Sequence, residues 1–240
     1  MEILQIAAIL ILSYLLGSIP FGLIVVWIAS GKDIRSIESG RTGGTNALRA
    51  AGCLAGLITA ALDVGKGAAS YYLVEWIYPT AGPLLRVAAA ILAIVGHNYS
   101  IFLLERFGVD GKVRLRGGAG GATCLGGSIA LWPYSFFVIL PLIAVVYIIG
   151  GYASITTMSI AFLSIVVFSI RAALGLSPWV YVLYGVVAEL ILIWALRPNI
   201  KRLRQGNERR VNVFAYLAKK RGAGSGTSSQ QEQKPTSEDE

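Results

Sequence analysis

The chain has 240 residues, 55% of them hydrophobic and only 14% charged, with a formal net charge of +8 and a mean hydropathy of +0.65. A soluble domain does not carry so much apolar surface, and the composition is that of a polytopic membrane protein. Cys53 and Cys124 are the only cysteines and His97 the only histidine, which excludes a disulfide framework and any metal site built from His or Cys.

Residues 3 to 29 read as a first membrane span, broken only by Ser13, Tyr14, Gly17, Ser18 and Pro20. No basic residue precedes this run and it is long enough to cross, so it reads as an anchor and not a cleaved leader. The next stretch, GKDIRSIESGRTGGTNALRAAG at 31 to 52, is polar and rich in glycine. It sets Lys32, Arg35, Arg41 and Arg49 against only Asp33 and Glu38, and Ser39, Thr42, Thr45 and Asn46 supply short hydrogen-bonding side chains. Gly40, Gly43 and Gly44 let consecutive N–H groups turn toward one phosphate or carboxylate while an arginine neutralises it. The alternative is a positively charged cytoplasmic loop without a ligand.

A second span, 54 to 78, carries Asp63 and Lys66 on neighbouring positions of one helical face. Isolated charges are costly in hydrocarbon, so the two read as an ion pair turned inward, either structural or in contact with substrate. A third span, 83 to 104, ends in GHNYSIF at 96 to 102, where His97 is either a satisfied structural group or a working one. Beyond a basic segment lies RGGAGGAT, Arg116 to Thr123. This second glycine nest precedes a helix start, where free N–H groups favour phosphate, although such glycines also serve helix packing.

Further spans fall at 153 to 171 and 178 to 196. Of the 21 Lys and Arg residues, four lie in 32 to 49, four in 106 to 116 and nine in 197 to 221. Cytoplasmic loops carry the positive excess, and an even number of crossings must then separate Arg116 from Arg197. Residues 121 to 149 therefore cross twice, with the break at Trp132 and Pro133. The expectation is an all-α protein of about seven transmembrane helices, two of them short, with the N-terminus outside, the C-terminus cytoplasmic, and only Arg86 and Arg171 facing outward.

The segment Arg197 to Arg210 presents Asn199, Arg202 and Glu208 at the inner surface, with Pro198 where a new helix can begin. Anionic lipid headgroups are its simplest ligand. From about residue 217 the composition turns to Gly, Ser, Gln and Glu, which predicts a disordered cytoplasmic tail over 217–240 after a single membrane domain over 1–216.

These polar segments together resemble the bacterial acyl-phosphate:glycerol-3-phosphate acyltransferases, the PlsY family. GSIPFG at 17 to 22, DIR at 33 to 35, Ser39-Gly40, Thr45-Asn46 and Arg49 match its first motif. LDVGKG at 62 to 67 matches its second-helix pattern, GHNYSIF its second motif and NIKRLRQGNE at 199 to 208 its third. The resemblance implies an enzyme of phospholipid biosynthesis in the bacterial cytoplasmic membrane, its site facing the cytoplasm. Its partners would be acyl phosphate, glycerol 3-phosphate and membrane lipids, with no nucleic acid and no cofactor. It also implies catalytic roles for Ser39, His97 and Asn199. Substrate contacts would come from Gly40, Arg41, Thr45, Asn46, Arg49, Lys66, Arg116, Gly117, Gly118, Gly120, Thr123, Arg202 and Glu208.

A different acyltransferase class, with an Asp five residues after its His, is disfavoured because Phe102 stands there. The chain departs from the family's pattern in four places. Glu38-Ser39-Gly40-Arg41 replaces Gly-Ser-Gly-Asn, and Arg116-Gly117-Gly118-Ala119-Gly120 replaces Lys-Gly-Gly-Lys-Gly. About ten residues are inserted within 104 to 115, and Leu196 stands where a His is common. A non-catalytic lipid-phosphate-binding homologue, or a small transporter using the Trp132-Pro133 break, are the competing readings.

Overall fold

The computed structural model describes residues 1–107 and 112–210. The elements are α1 (Glu2–Ser18), α2 (Phe21–Ser30), α3 (Gly44–Ala51), α4 (Cys53–Ile77), α5 (Pro83–Asn98), β1 (Ser100–Phe107), β2 (Lys112–Arg116), α6 (Gly121–Leu131), α7 (Ser135–Gly150), α8 (Ala153–Ala173) and α9 (Val180–Arg204). Among the described residues, three segments are long and apolar enough to cross a membrane: Glu2–Ser30, Ala153–Ala173 and Val180–Arg204. The expected tail, 217–240, lies outside the described residues.

The first predicted span is two helices. Pro20 has no N–H and its ring clashes with the preceding turn, so the helix stops at Ser18 and restarts at Phe21. At the break the Ile19 carbonyl accepts from the Phe21 N–H at 3.1 Å and from the buried Lys66 Nζ at 2.9 Å. Pro198, by contrast, starts no helix: α9 runs through it to Arg204. The carbonyl that would have bonded a residue-198 N–H belongs to Trp194, and Arg197 Nε donates to it at 2.9 Å. The break between α6 and α7 falls at Trp132 and Pro133 as expected, with the Arg171 guanidinium 4.1 Å from the Trp132 ring centre.

The all-α expectation is corrected at one place. The predicted third span ends at Asn98, and the chain continues as an antiparallel hairpin of β1 and β2, with Leu104 opposite Leu115 and Glu105 opposite Arg114. Apolar and charged residues alternate with period 2 in KVRLR, which suits a strand and not a helix, whereas LLERF shows no such alternation and takes its strand form by pairing with it.

The main core lies where α5, α6, α8 and α9 meet, around Ile94, Leu125, Phe168, Tyr184 and Leu192. Tyr184 is fully buried in it, and its hydroxyl donates to the Cys124 carbonyl at 2.6 Å. Ser128 and Ser164 bond to each other across α6 and α8 at 2.8 Å. This block holds α6 rigidly beneath the loops that carry the polar motifs.

Candidate active site

A cavity of about 750 Å³ opens where the polar segments converge. Its polar lining comes from Ser39, Arg41, Thr45, Asn46 and Arg49 of the first loop and α3, from His97 and Asp63 of α5 and α4, and from Asn199, Arg202 and Glu208. Its apolar lining includes Leu57, Ala61 and Val64 of α4 and Leu140, Ile143 and Tyr147 of α7. Along α4 the lining runs from Cys53 to Val64, about 16 Å of helix at 1.5 Å per residue.

The first loop is shaped by its own hydrogen bonds. The Asn46 amide, 3% exposed, donates to the carbonyls of Ile34, Ile37 and Arg41 at 3.1, 3.0 and 2.9 Å. Asn46 is thus the hub that folds the loop back on α3, with its nitrogen committed to the backbone. Thr45 and Arg49 are four residues apart on α3, so both face the cavity. Gly40 has φ +66°, a left-handed conformation that side chains resist, and Glu38 beside it has φ +47°. The Glu38 carboxylate is held by Arg209 at 3.0 Å.

Arg41 reaches across to α9. Its Nη2 donates to the Ala195 carbonyl at 2.5 Å and to Asn199 Oδ1 at 3.2 Å. Asn199 Nδ2 donates to Glu208 Oε1 at 2.8 Å, and Arg202 Nε donates to Glu208 Oε2 at 2.9 Å. Glu208 therefore neutralises Arg202 directly, whereas Arg41 bonds only neutral oxygens. Burial, reinforced by the repulsion of Arg202, pushes the Arg41 guanidinium below its ordinary pKa, although arginine stays charged under any working condition. Among the described residues no carboxylate lies within ion-pair distance of Arg41 or Arg49, and both face the cavity.

In the cavity wall, Asp63 Oδ1 lies 2.8 Å from Lys66 Nζ and 3.4 Å from His97 Nδ1, all three side chains 4% exposed or less. Neither Asp63 oxygen receives an aligned hydrogen bond among the described residues. Lys66 is engaged with Asp63 and Ile19 and does not line the cavity.

The second glycine loop serves a different purpose from the expected one. Arg116 is turned away to Glu105, Nε to Oε2 at 2.9 Å, and Glu105 Oε1 also meets Arg35 Nη1 at 3.2 Å. Arg35 is held in turn by Asp33 at 2.7 Å. The result is a four-member ionic clamp between the hairpin and the first loop. Gly117 and Gly118 lie against the end of α5: the Gly118 N–H donates to the His97 carbonyl at 2.9 Å, and a Cβ at Gly118 would overlap the His97 imidazole. Thr42 N–H donates to the Gly117 carbonyl at 3.4 Å, joining the two loops. Of this motif Ala119, Gly120, Gly121 and Ala122 line the cavity; Arg116, Gly117, Gly118 and the fully buried Thr123 do not, and neither does Gly40 of the first loop.

A family model described as glycerol-3-phosphate acyltransferase matches residues 7–206. The chain belongs to that family. A glycerol-3-phosphate acyltransferase 2 of Moorella thermoacetica is 36% identical over 84% of this chain and 95% of its own. One from Rubrobacter xylanophilus is 37% identical over 83% of this chain and 92% of its own. Among solved structures, PlsY (YgiH), described as an integral membrane glycerol 3-phosphate acyltransferase in its glycerol 3-phosphate form, superposes with a TM-score of 0.73. It is 26% identical, over 88% of this chain and 98% of its own. The lysophosphatidic acid form of the same enzyme superposes with a TM-score of 0.71. As a family member, this chain is an acyltransferase of the membrane.

Sequence reasoning missed Glu105, which lies in the inserted segment and has no motif to announce it. Of the Asp63–Lys66 pair it chose Lys66 as the substrate contact, whereas Asp63 lines the cavity, and it missed the apolar wall from α4 and α7. The run of small residues on α4, Gly56, Ala60 and Ala61, was the available signal for that wall.

Proposed function

We propose that this protein transfers a fatty acyl group from acyl phosphate to the 1-hydroxyl of glycerol 3-phosphate, releasing lysophosphatidic acid and phosphate. The observation that carries the reading is the mixed lining of one cavity: cations with free charge together with an apolar wall from α4 and α7, matching an acceptor and donor that both bear phosphate and a donor that also bears an acyl chain. In this reading Arg49 grips glycerol 3-phosphate, while Arg41 and the loop at Ser39 hold the acyl-phosphate group. Asn199, fixed between Arg41 and Glu208, keeps the first loop in register with α9. The chain lies between α4 and α7.

The acceptor's hydroxyl oxygen attacks the carbonyl carbon and the carbonyl–phosphate C–O bond breaks, its electron pair leaving with phosphate. The hydroxyl proton passes to His97 Nε2. Asp63 faces Nδ1, which favours the tautomer with its proton there and stabilises the imidazolium as it forms. Acyl phosphate is already activated, so positioning and charge stabilisation suffice. Purified protein given acyl phosphate and glycerol 3-phosphate should form lysophosphatidic acid without ATP and with undiminished rate in chelator; activity only with acyl-CoA, or lost to chelator, contradicts the donor assignment.

We infer further that the protein sits in the bacterial cytoplasmic membrane with seven crossings, the N-terminus outside and the C-terminus and site inside. Its support is that the cationic segments converge at one end of the molecule through Arg41–Asn199, Arg209–Glu38 and Arg35–Glu105. A cysteine placed near residue 2 should react with an impermeant thiol reagent in intact cells, and one near residue 215 only after permeation. Reaction of both from one side removes the odd crossing number.

A further inference from the structure

We propose that the β1–β2 hairpin is an interfacial lipid-binding element whose apolar face lies in the headgroup layer of an anionic leaflet, and that its ionic clamp carries this contact to the first loop. Phe102, Leu104 and Val113 are 57%, 53% and 59% exposed, whereas Leu103 between the first two is 3% exposed. Side chains alternate along a strand and cross-strand neighbours share a face, so Leu104 and Val113 stand together on the side opposite Leu103. Phe102 lies in the stretch where the register shifts between Ser100 and Leu104, and is exposed beside them. An isolated two-stranded hairpin with one bare apolar face does not persist in water.

The place of the hairpin decides what covers that face. It leaves the C-terminus of α5 and returns to the N-terminus of α6, so both its ends are pinned where membrane helices end. Residues 100 to 116 contain Arg106, Lys112, Arg114 and Arg116 against Glu105 and Asp110. Apolar residues combined with an excess of cations at the level of the membrane surface match an anionic lipid interface. The hairpin is not a loose appendage. Glu105 binds Arg116 on β2 and Arg35 on the first loop, and Ser100 Oγ donates to the Ser18 carbonyl at 2.5 Å. A shift of the hairpin therefore reaches Gly40, whose Cβ position lies 2.9 Å from the Arg35 carbonyl and 3.4 Å from Arg116 Nη1.

The test uses full-length protein with Cys53→Ser, carrying an environment-sensitive fluorophore on Phe102→Cys, on Val113→Cys, or on the exposed Asn207→Cys as the aqueous reference. Each is reconstituted in phosphatidylethanolamine vesicles with phosphatidylglycerol or with phosphatidylcholine. In the anionic vesicles, labels at 102 and 113 should be quenched by headgroup-proximal nitroxide lipids and be at least threefold less open to iodide than the label at 207. Exchanging phosphatidylglycerol for phosphatidylcholine should raise iodide access at 102 and 113 at least twofold. Iodide access at both positions equal to that at 207 overturns the proposal and leaves the face for a protein partner. Shielding that is indifferent to phosphatidylglycerol overturns the anionic specificity. Using two labelled positions keeps the answer independent of one variant's folding, and the readout does not depend on acyl transfer.

Discussion

The two glycine-rich loops look alike in sequence, each mixing glycine with arginine ahead of a helix, yet the structure uses them in opposite ways. The first loop faces the cavity with side chains. Arg41 and Arg49 keep their charge available there, and Asn46 spends its amide on the loop's own carbonyls to present them. The second loop faces α5 with its backbone. Gly118 is glycine because the His97 ring occupies the space of a side chain, and Arg116 is consumed by Glu105. Glycine content marks a tight backbone path. Whether the path embraces a ligand or a neighbouring helix depends on what packs beside it.

That contrast breaks most sharply at Gly118. Gly118→Ala places a methyl in the His97 imidazole. Overpacking costs about 1–3 kcal/mol of stability, and a displacement of about 1 Å at the reacting groups costs about 100-fold in rate. Turnover should fall by at least about that factor, with a lowered melting temperature in detergent. Near-normal turnover of this variant would show that His97 has no part in the chemistry.

The next largest effect separates cations that are free from those already paired. Arg41→Ala or Arg49→Ala removes a charge-assisted contact worth about 1.5–3 kcal/mol, or about 10- to 150-fold in kcat/KM. Arg116→Ala removes only a half-exposed ion pair with Glu105, worth about 0–1 kcal/mol, so kcat/KM should fall less than about fivefold. Ala119→Lys, which adds a cation to the cavity wall beside the first loop, should restore part of the Arg41→Ala loss. A larger loss for Arg116→Ala than for Arg41→Ala reverses the assignment of the two loops.

The smallest effect sharpens the view of the clamp. Arg35, bonded to Asp33 through both its guanidinium and its backbone N–H, holds the Asp33 carboxyl below its usual value. A depressed carboxyl contributes stability that is complete above its unfolded pKa and disappears as the pH falls through the lower folded value. Asp33→Asn should therefore lower the melting temperature by the same modest amount from pH 7 to pH 5, and the difference from the parent should vanish only in strong acid. A difference that changes between pH 7 and pH 5 places another titrating group in the clamp.

The sequence by itself determined the membrane class, the helix break at Trp132-Pro133, the inward Asp63–Lys66 pair and the family, because these depend on composition, local stereochemistry and motifs in register. Long apolar runs, prolines and charges in hydrocarbon each leave few structural options, so they are legible without a fold. The tertiary structure alone decided which polar residues meet. Pro20 broke a span and Pro198 did not; at the first a buried Lys66 joins the Phe21 N–H on the Ile19 carbonyl, and at the second Arg197 takes the carbonyl of Trp194 that the proline leaves free. Arg35 and Arg116 left the candidate site because Glu105, in a segment without a motif, lies between them, while Arg41 stayed in it because Glu208 was already taken by Arg202. Ionic and hydrogen-bonding partners 70 to 158 residues apart are chosen by packing, and local sequence carries no term for that choice.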